Sequence, residues 1–180
     1  MKNDAEARFR SFFQEHYEAV LAYTLRRIES EAAEDLVAET FLIAWRRYDS
    51  IPEDPLPWLY TVARNLILNH GRRMVRRDAF LSTLRDESTR ERSDPAEDLA
   101  TRSEILAAFR RLSSRDRETL ALVAWEGLTA PRAAKVLGCS VGAFWVRLHR
   151  ARRRLSSQLE SPRPRSATSI VLPDLETEQR

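Results

Sequence analysis

PWLYTVARNLILNHGRRMVRR, residues 57–77, decides the fold prediction, because its two helical faces call for two different partners. At about 100° per residue, one face is broad and apolar and consists of Leu59, Val62, Ala63, Leu66, Ile67 and Met74. The opposite face carries indole, hydroxyl, amide and guanidinium groups: Trp58, Thr61, Asn65, Asn69, Arg72 and Arg76. The stretch therefore predicts an amphipathic helix with one side on a core and a polar side left for solvent or a ligand.

The polar face has the chemistry of a nucleic-acid surface. Amides and hydroxyls hydrogen-bond base edges, tryptophan stacks on bases, and arginine holds phosphate with two N–H donors. A face that meets only water is equally compatible with these residues, because solvated polar faces are the rule. This stretch alone leaves both interpretations open.

Length and charge indicate two units, one of which faces a polyanion. The chain has 180 residues and a net charge of +3, enough for one moderate core or two small ones. Residues 78–109 hold four basic and eight acidic side chains, whereas residues 110–155 hold eleven basic and three acidic ones, a local charge of +8. A basic C-terminal block of this kind favours a nucleic-acid partner.

Residue usage argues against enzyme chemistry, metals and cofactors. Cys139 is the single cysteine, and His16, His70 and His149 are scattered, so neither a disulfide nor a metal site is predicted. No nucleophile and base pair or Gly-rich phosphate loop appears, so we expect no catalytic residue. Without a membrane-spanning run or signal peptide, the sequence predicts a cytoplasmic protein with no membrane insertion.

Helical periodicity runs through most of the chain and predicts an all-α fold of two small domains joined by a flexible linker. In the first domain, residues 5–77, Asp4 is predicted to cap a helix over 4–27, and further helices cover 31–48 and 57–77, the last with Pro57 as its first residue. Residues 78–93 are the linker, with one short helical turn at 80–84. The second domain spans 94–156, and residues 157–180 are predicted to be a disordered tail.

The second domain ends in a helix-turn-helix pattern. Asp94 and Pro95 predict a helix start, and Ser113 or Ser114 caps the next helix. Thr129 is expected to cap a helix over 131–137, Gly138 and Cys139 to make the turn, and Ser140 to cap a helix over 141–155. One side of that last helix is apolar: Val141, Phe144, Leu148, Ala151 and Leu155. The other side is interpreted as a DNA-binding face: Ala143, Val146, Arg147, Arg150, Arg153 and Arg154.

Three runs together resemble a bacterial RNA polymerase sigma factor of the extracytoplasmic-function class, a branch of the sigma-70 family. They are AEDLVAETFLIAWRR (33–47), PWLYTVARNLI (57–67) and LSSRDRETLALVAWEGLTAPRAAKVLGCSVGAFWVRLHRARRRL (112–155). The resemblance covers nearly all of residues 8–155 in the family's order and spacing. It resolves the interpretation of residues 57–77 in favour of DNA.

The resemblance implies a role for each part of the chain. The first domain is similar to sigma region 2, whose second helix docks on the clamp helices of the polymerase largest subunit; the matching positions are Asp35, Leu36, Glu39, Phe41 and Arg46. The polar face of residues 57–77 is similar to the surface that reads and opens the −10 element, with Asn65 in the base-reading position. The second domain is similar to region 4, which reads the −35 element. An anti-sigma protein is a further implied partner.

Some positions depart from the family pattern. Ala38 and Ile43 replace a common Gln and a basic residue, and Pro131 and Arg132 replace an acidic pair. On the last helix, Ala143, Trp145 and Val146 replace Thr, a basic residue and Ser, so the −35 sequence that the chain reads is left open.

One alternative from another class remains. A free-standing helix-turn-helix regulator with a ligand-sensing or dimerising N-terminal half would bind duplex DNA unaided, and a small enzyme has little support.

Overall fold

The computed structural model describes residues 2–82 and 100–160. Over these ranges the chain forms helices and no strand. The first unit contains α1 (Lys2–Leu25), α2 (Ser30–Arg46), a 3-10 turn (Tyr48–Ser50) and α3 (Pro55–Ser82), and the second contains α4 (Ala100–Arg111), α5 (Ser114–Ala124), α6 (Ala130–Leu137) and α7 (Val141–Glu160). The predicted all-α fold with two helical domains is confirmed.

The first unit packs its three helices around one small core. Each helix contributes side chains that are almost fully buried: Val20 and Tyr23 from α1, Val37 and Phe41 from α2, and Leu59 and Ala63 from α3. Near the start of α1, the ring of Phe9 meets Trp45 and Tyr48 edge to face, with centroids 4.9 and 5.5 Å apart. This geometry is the one that aromatic quadrupoles favour. The apolar faces predicted for the three helices therefore meet one another, except that Met74, predicted to lie on the core face of α3, is 41% exposed.

Two predicted helix starts in this unit are wrong. Asp4 is not the cap of α1, because the helix begins at Lys2 and Asp4 lies in its first turn, 3.5 Å from the Arg8 guanidinium. A carboxylate in the first turn still interacts favourably with the helix dipole. α3 begins at Pro55 rather than Pro57, and both prolines fit there because first-turn N–H groups have no partner within the helix.

Two of the helix caps predicted for the second unit, at Ser113 and Ser140, form the expected side-chain hydrogen bonds. Ser113 Oγ accepts from the Asp116 N–H at 3.2 Å and donates to its carboxylate at 2.8 Å. The turn between α6 and α7 passes through Gly138 at φ +61°, a conformation that suits glycine, and Ser140 Oγ accepts from the Ala143 N–H at 3.2 Å. Thr129 precedes α6 but makes no side-chain cap hydrogen bond.

Two helices continue past their predicted ends. α3 runs to Ser82, so the first residues assigned to the linker are helical, and α7 runs to Glu160, so the first residues assigned to the tail are helical. Residues 83–99 and 161–180 lie outside the described residues. The rest of the predicted linker, the helix start at Asp94 and most of the predicted tail fall there.

The two units pack against each other, which the sequence analysis does not predict. α6 lies along α3, and one cluster of buried residues joins the cores of both units. Arg132 on α6 forms a bidentate ion pair with Asp54, with Nε 2.8 Å from Oδ2. This pair holds the pKa of the Asp54 carboxyl below its usual range. Arg132 is one of the departures from the family pattern, and here it supplies a contact between the units.

Phe144 and Trp145 are adjacent on α7 but lie in opposite environments, since Phe144 is fully buried and Trp145 is 54% exposed. Phe144→Ala should lower the free energy of unfolding by about 3–5 kcal/mol, because it leaves a cavity in the core. Trp145→Ala is the matched control and should change it by less than about 1 kcal/mol. Urea unfolding followed by circular dichroism measures both, and equal losses would contradict the packing described.

Tyr60 gives the fold a dependence on alkaline pH. Burial, with the Glu126 carboxylate nearby, raises the pKa of Tyr60 to about 12 from 10.0. Because the folded state holds this proton more tightly, its stabilisation is complete below pH 10 and is lost as the pH rises through 12. Between pH 9 and pH 11, the free energy of unfolding of the wild type should therefore fall by about 1 kcal/mol more than that of the Tyr60→Phe protein.

Urea unfolding at the two pH values measures the difference. Tyr48→Phe, in the aromatic cluster of the first unit, controls for the loss of one phenol. A Tyr60→Phe protein with the same pH dependence as the wild type would contradict the prediction.

Candidate nucleic-acid and polymerase interface

The polar face of α3 is a continuous exposed surface along the helix. The side chains of Asn65, Asn69, Arg72 and Arg76 are exposed. Asn69 Oδ1 accepts from Arg72 Nη1 at 3.3 Å, so the amide and the guanidinium are held side by side. Leu59 and Ala63 on the opposite face of the helix are buried, so this row of polar side chains points to solvent. The helix thus presents amides and then cations to the outside in one line.

Trp58 and Thr61 at the start of this row are less available. Trp58 is half-buried and packs against the core cluster. The Thr61 hydroxyl donates to the Pro57 carbonyl at 2.8 Å, so its proton is engaged within the helix while its oxygen remains an acceptor. The base-edge chemistry of α3 therefore lies mainly at Asn65 and Asn69.

The outer face of α7 is basic and exposed. Val146, Arg147, Arg150 and Arg153 are exposed, and Ala143 is half-buried. Phe144, Leu148 and Ala151 are buried beneath them and fix the orientation of the helix. Arg154 differs from the other arginines, because its guanidinium donates to both Asp116 oxygens at 2.8 and 2.9 Å. Arg154 therefore ties α7 to the cap of α5.

A cleft of about 690 Å³ is lined by residues of α3, α5 and α7. Arg64, Leu68 and Arg72 line it from α3, and Arg147, Arg150 and Arg154 line it from α7. Of the residues that the sequence assigns to DNA, Arg72, Arg147, Arg150 and Arg154 line this cleft.

On α2, the structure separates the five predicted polymerase contacts into two groups. Asp35, Glu39 and Arg46 are exposed, whereas Leu36 and Phe41 are buried and pack in the core. Leu42, which is not among these five residues, is 47% exposed. At helical spacing it lies between Glu39 and Arg46 on the face of Asp35. A large apolar residue at the centre of a charged helix face is a sequence pattern typical of a protein-binding surface.

The part of the chain that the structure describes holds no group of three or more His, Cys, Asp or Glu side chains that could bind a metal ion. Among the same residues, no helix has the length and hydropathy needed to span a bilayer.

Comparisons with known proteins match the two helical units separately. A family model described as Sigma-70 region 2 matches residues 12–77, and one described as Sigma-70, region 4 matches residues 102–155. The ECF RNA polymerase sigma factor SigL of Mycobacterium tuberculosis is 35% identical over 161 residues, covering 86% of this chain and 90% of SigL. The RNA polymerase sigma factor NccH of Alcaligenes xylosoxydans is 33% identical, covering 71% of this chain and 73% of NccH.

Two solved structures share the fold. The sigma factor RpoE from Bartonella quintana, in complex with the anti-sigma factor NepR, superposes with a TM-score of 0.64 at 27% identity, covering 86% of this chain and 98% of RpoE. CnrH in complex with the cytosolic domain of CnrY has a TM-score of 0.56 at 26% identity, covering 86% of this chain and 88% of CnrH.

Proposed function

The chain belongs to the sigma-70 family as a sigma factor of the extracytoplasmic-function class, and from this premise we propose how its surfaces divide the work of transcription initiation. As a sigma factor, it binds core RNA polymerase and directs it to promoters. This division is supported by the order of the two matched regions along the chain. Each region coincides with a helical unit that exposes one polar face. We assign residues 5–77 to polymerase and the −10 element, 78–93 to the linker, 94–156 to the −35 element and 157–180 to the tail.

α3 is assigned to the −10 element. The bases of an opened strand expose their hydrogen-bonding edges, and side-chain amides can donate to and accept from those edges at once. Asn65 and Asn69 have this chemistry and are exposed. Arg72 and Arg76 follow one and two turns later, where they hold the phosphates of the same strand. Trp58 and Thr61 complete the surface from their half-buried positions.

α7 is assigned to the −35 element in duplex form. A helix of this kind enters the major groove, where arginine donates to guanine and phosphate oxygens. Arg147, Arg150 and Arg153 supply these donors, whereas Ala143 and Val146 offer only apolar contact, which suits thymine methyl groups. The specificity therefore depends on arginine contacts, methyl contacts and the shape of the duplex.

α2 is assigned to the polymerase. Asp35, Glu39 and Arg46 form the charged part of the contact, and Leu42 supplies an apolar centre of the kind found in protein interfaces. Leu36 and Phe41 hold this face in place from the core. The assignment implies that the protein acts in the cytoplasm, where the polymerase is, and contributes binding rather than chemistry of its own.

An anti-sigma factor is the proposed negative regulator. The relatives RpoE and CnrH were solved with NepR and with the cytosolic domain of CnrY. This chain covers most of both relatives and shares their fold, which supports a partner of the same kind.

A run-off transcription assay tests the function directly. Core polymerase with and without the protein transcribes a library of genomic fragments, and specific transcripts should appear only with the protein. Sequence-specific duplex binding by the protein alone, without any transcript, would instead favour the free-standing regulator.

Asn65→Ala should impair promoter opening while polymerase binding survives, because it removes a base-edge amide without touching α2. We expect a loss of about 1–3 kcal/mol in open-complex stability, as for other base contacts. Permanganate footprinting measures opening, and co-elution with core polymerase measures binding. Gln14→Ala, an exposed amide on α1, is the control. Normal opening by the Asn65→Ala protein would remove that residue from the site.

Arg147→Ala should weaken holoenzyme binding to duplex −35 DNA by about 1–3 kcal/mol at fixed salt. Arg152→Ala is the matched control, because Arg152 is exposed on the other flank of α7 at helical spacing. Competition binding with labelled duplex measures both. Equal affinities of the two variants would take Arg147 out of the −35 surface.

A further inference from the structure

The first two turns of α7 expose large apolar side chains to solvent. Trp145 is 54% exposed, Val146 is 50% exposed and Val141 is 40% exposed. Phe144, in the same turns, is fully buried, so the packing that orients the helix leaves these three side chains on its outer surface. We call Val141, Trp145 and Val146 the apolar tip of α7.

The surface beside the apolar tip is open. Gly142 precedes Trp145 by three residues and Val146 by four, so it lies next to both side chains on the helix. A Cβ atom built at Gly142 would meet no neighbouring side chain within 4 Å. A partner molecule can therefore approach the helix closely at this point.

The apolar tip also differs in charge from the rest of the outer face of α7. Residues 141–146 include no ionisable side chain, and the first cation is Arg147. Arg147, Arg150 and Arg153 then follow at three-residue spacings, and all three are exposed. The exposed surface of the helix thus changes from apolar groups in its first turns to guanidinium groups in the turns that follow.

Duplex DNA has a surface with the same two parts. Phosphates border the major groove, and within the groove each thymine presents a C5-methyl group beside its hydrogen-bonding O4. A recognition helix places its N-terminal residues closest to the base edges. On the assignment of α7 to the −35 element, the apolar tip therefore meets base edges, and the arginines that follow reach phosphates and purines.

We propose that Trp145 is a specificity-determining residue of this chain, and that its indole face covers the C5-methyl group of a thymine in the −35 element. Val141 and Val146 extend the contact on either side. The proposal rests on the proposed function of α7 and adds to it the base that the first turns of the helix select. Covering a methyl group removes apolar surface from water on both molecules, which is a gain that the exposed tip lacks in the free protein.

Replacing thymine by deoxyuridine tests this contact, because the replacement removes the methyl group and keeps every hydrogen-bonding group of the base. The probe is a duplex that carries the −35 element of a promoter found by run-off transcription. Each thymine of either strand is replaced in turn, and holoenzyme binding is measured by competition at fixed salt. For the wild-type protein, at least one replacement should weaken binding by about fourfold.

A double-mutant cycle then connects the methyl group to the indole. The Trp145→Ala protein should bind the unmodified duplex at least about fivefold more weakly, and it should no longer respond to deoxyuridine at the sensitive position. Trp145→Phe removes the indole N–H donor and keeps an aromatic face, so it should retain most of the response. Leu159→Ala removes a side chain that is 46% exposed further along α7, and this control should behave as the wild type.

Two measurements show that each variant is suitable for the cycle. Circular dichroism checks its fold, and co-elution with core polymerase checks its assembly into holoenzyme. A folded Trp145→Ala protein that fails to co-elute would overturn the proposal, because the apolar tip would then be a contact with polymerase rather than with DNA.

The remaining outcomes separate this proposal from the function on which it rests. Specific duplex binding that no deoxyuridine replacement weakens would overturn the thymine contact and leave the assignment of α7 intact. An equal response of the wild-type and Trp145→Ala proteins would give the methyl group to another residue. Holoenzyme without any sequence-specific binding to the duplex would overturn the assignment of α7 itself. A response that disappears with the indole and survives in Trp145→Phe supports both.

Discussion

The arrangement of the two units depends on one electrostatic requirement, which is that a carboxylate removed from water must meet cations. Glu126 is almost fully buried, and Arg26 and Arg27 meet it from the other unit. Around this point the apolar cores of the units join into one cluster. Small cores bury a limited fraction of their surface, so each unit gains apolar burial from the other. The charges decide which packing is allowed, and the apolar contacts make that packing stable.

The parts of the fold that were predictable are those encoded within a few residues. The caps at Ser113 and Ser140 and the left-handed Gly138 turn are local, and each was read correctly. The failures at helix starts are also local. Asp4 is a residue type that often caps helices, but α1 begins two residues earlier, at Lys2. Likewise, α3 begins at Pro55 rather than at Pro57.

The packing between the units was not predictable, because its contacts join residues about a hundred positions apart. The pair of Arg26 with Glu126 and the hydrogen bond of Tyr23 with Glu118 have no local signature in the sequence. Which residues of α2 are exposed is subject to the same limit. The family pattern pointed to Leu36 and Phe41, but three-dimensional packing buries them and exposes Leu42. Exposed amides and arginines, in contrast, followed directly from helical periodicity.

Buried and exposed residues alternate along α7, and this pattern affects how such a protein can evolve. Phe144, Leu148 and Ala151 are buried and Arg154 is tied to Asp116, while Val146, Arg147 and Arg150 between them are free of the core. On the proposed assignment of α7 to the −35 element, substitutions at these intervening positions alter what the helix recognises with little effect on folding, since exposed changes away from special contacts have small stability effects. Under that proposal, mutation can redirect the protein to a different set of genes in single steps, each of which passes through a folded molecule.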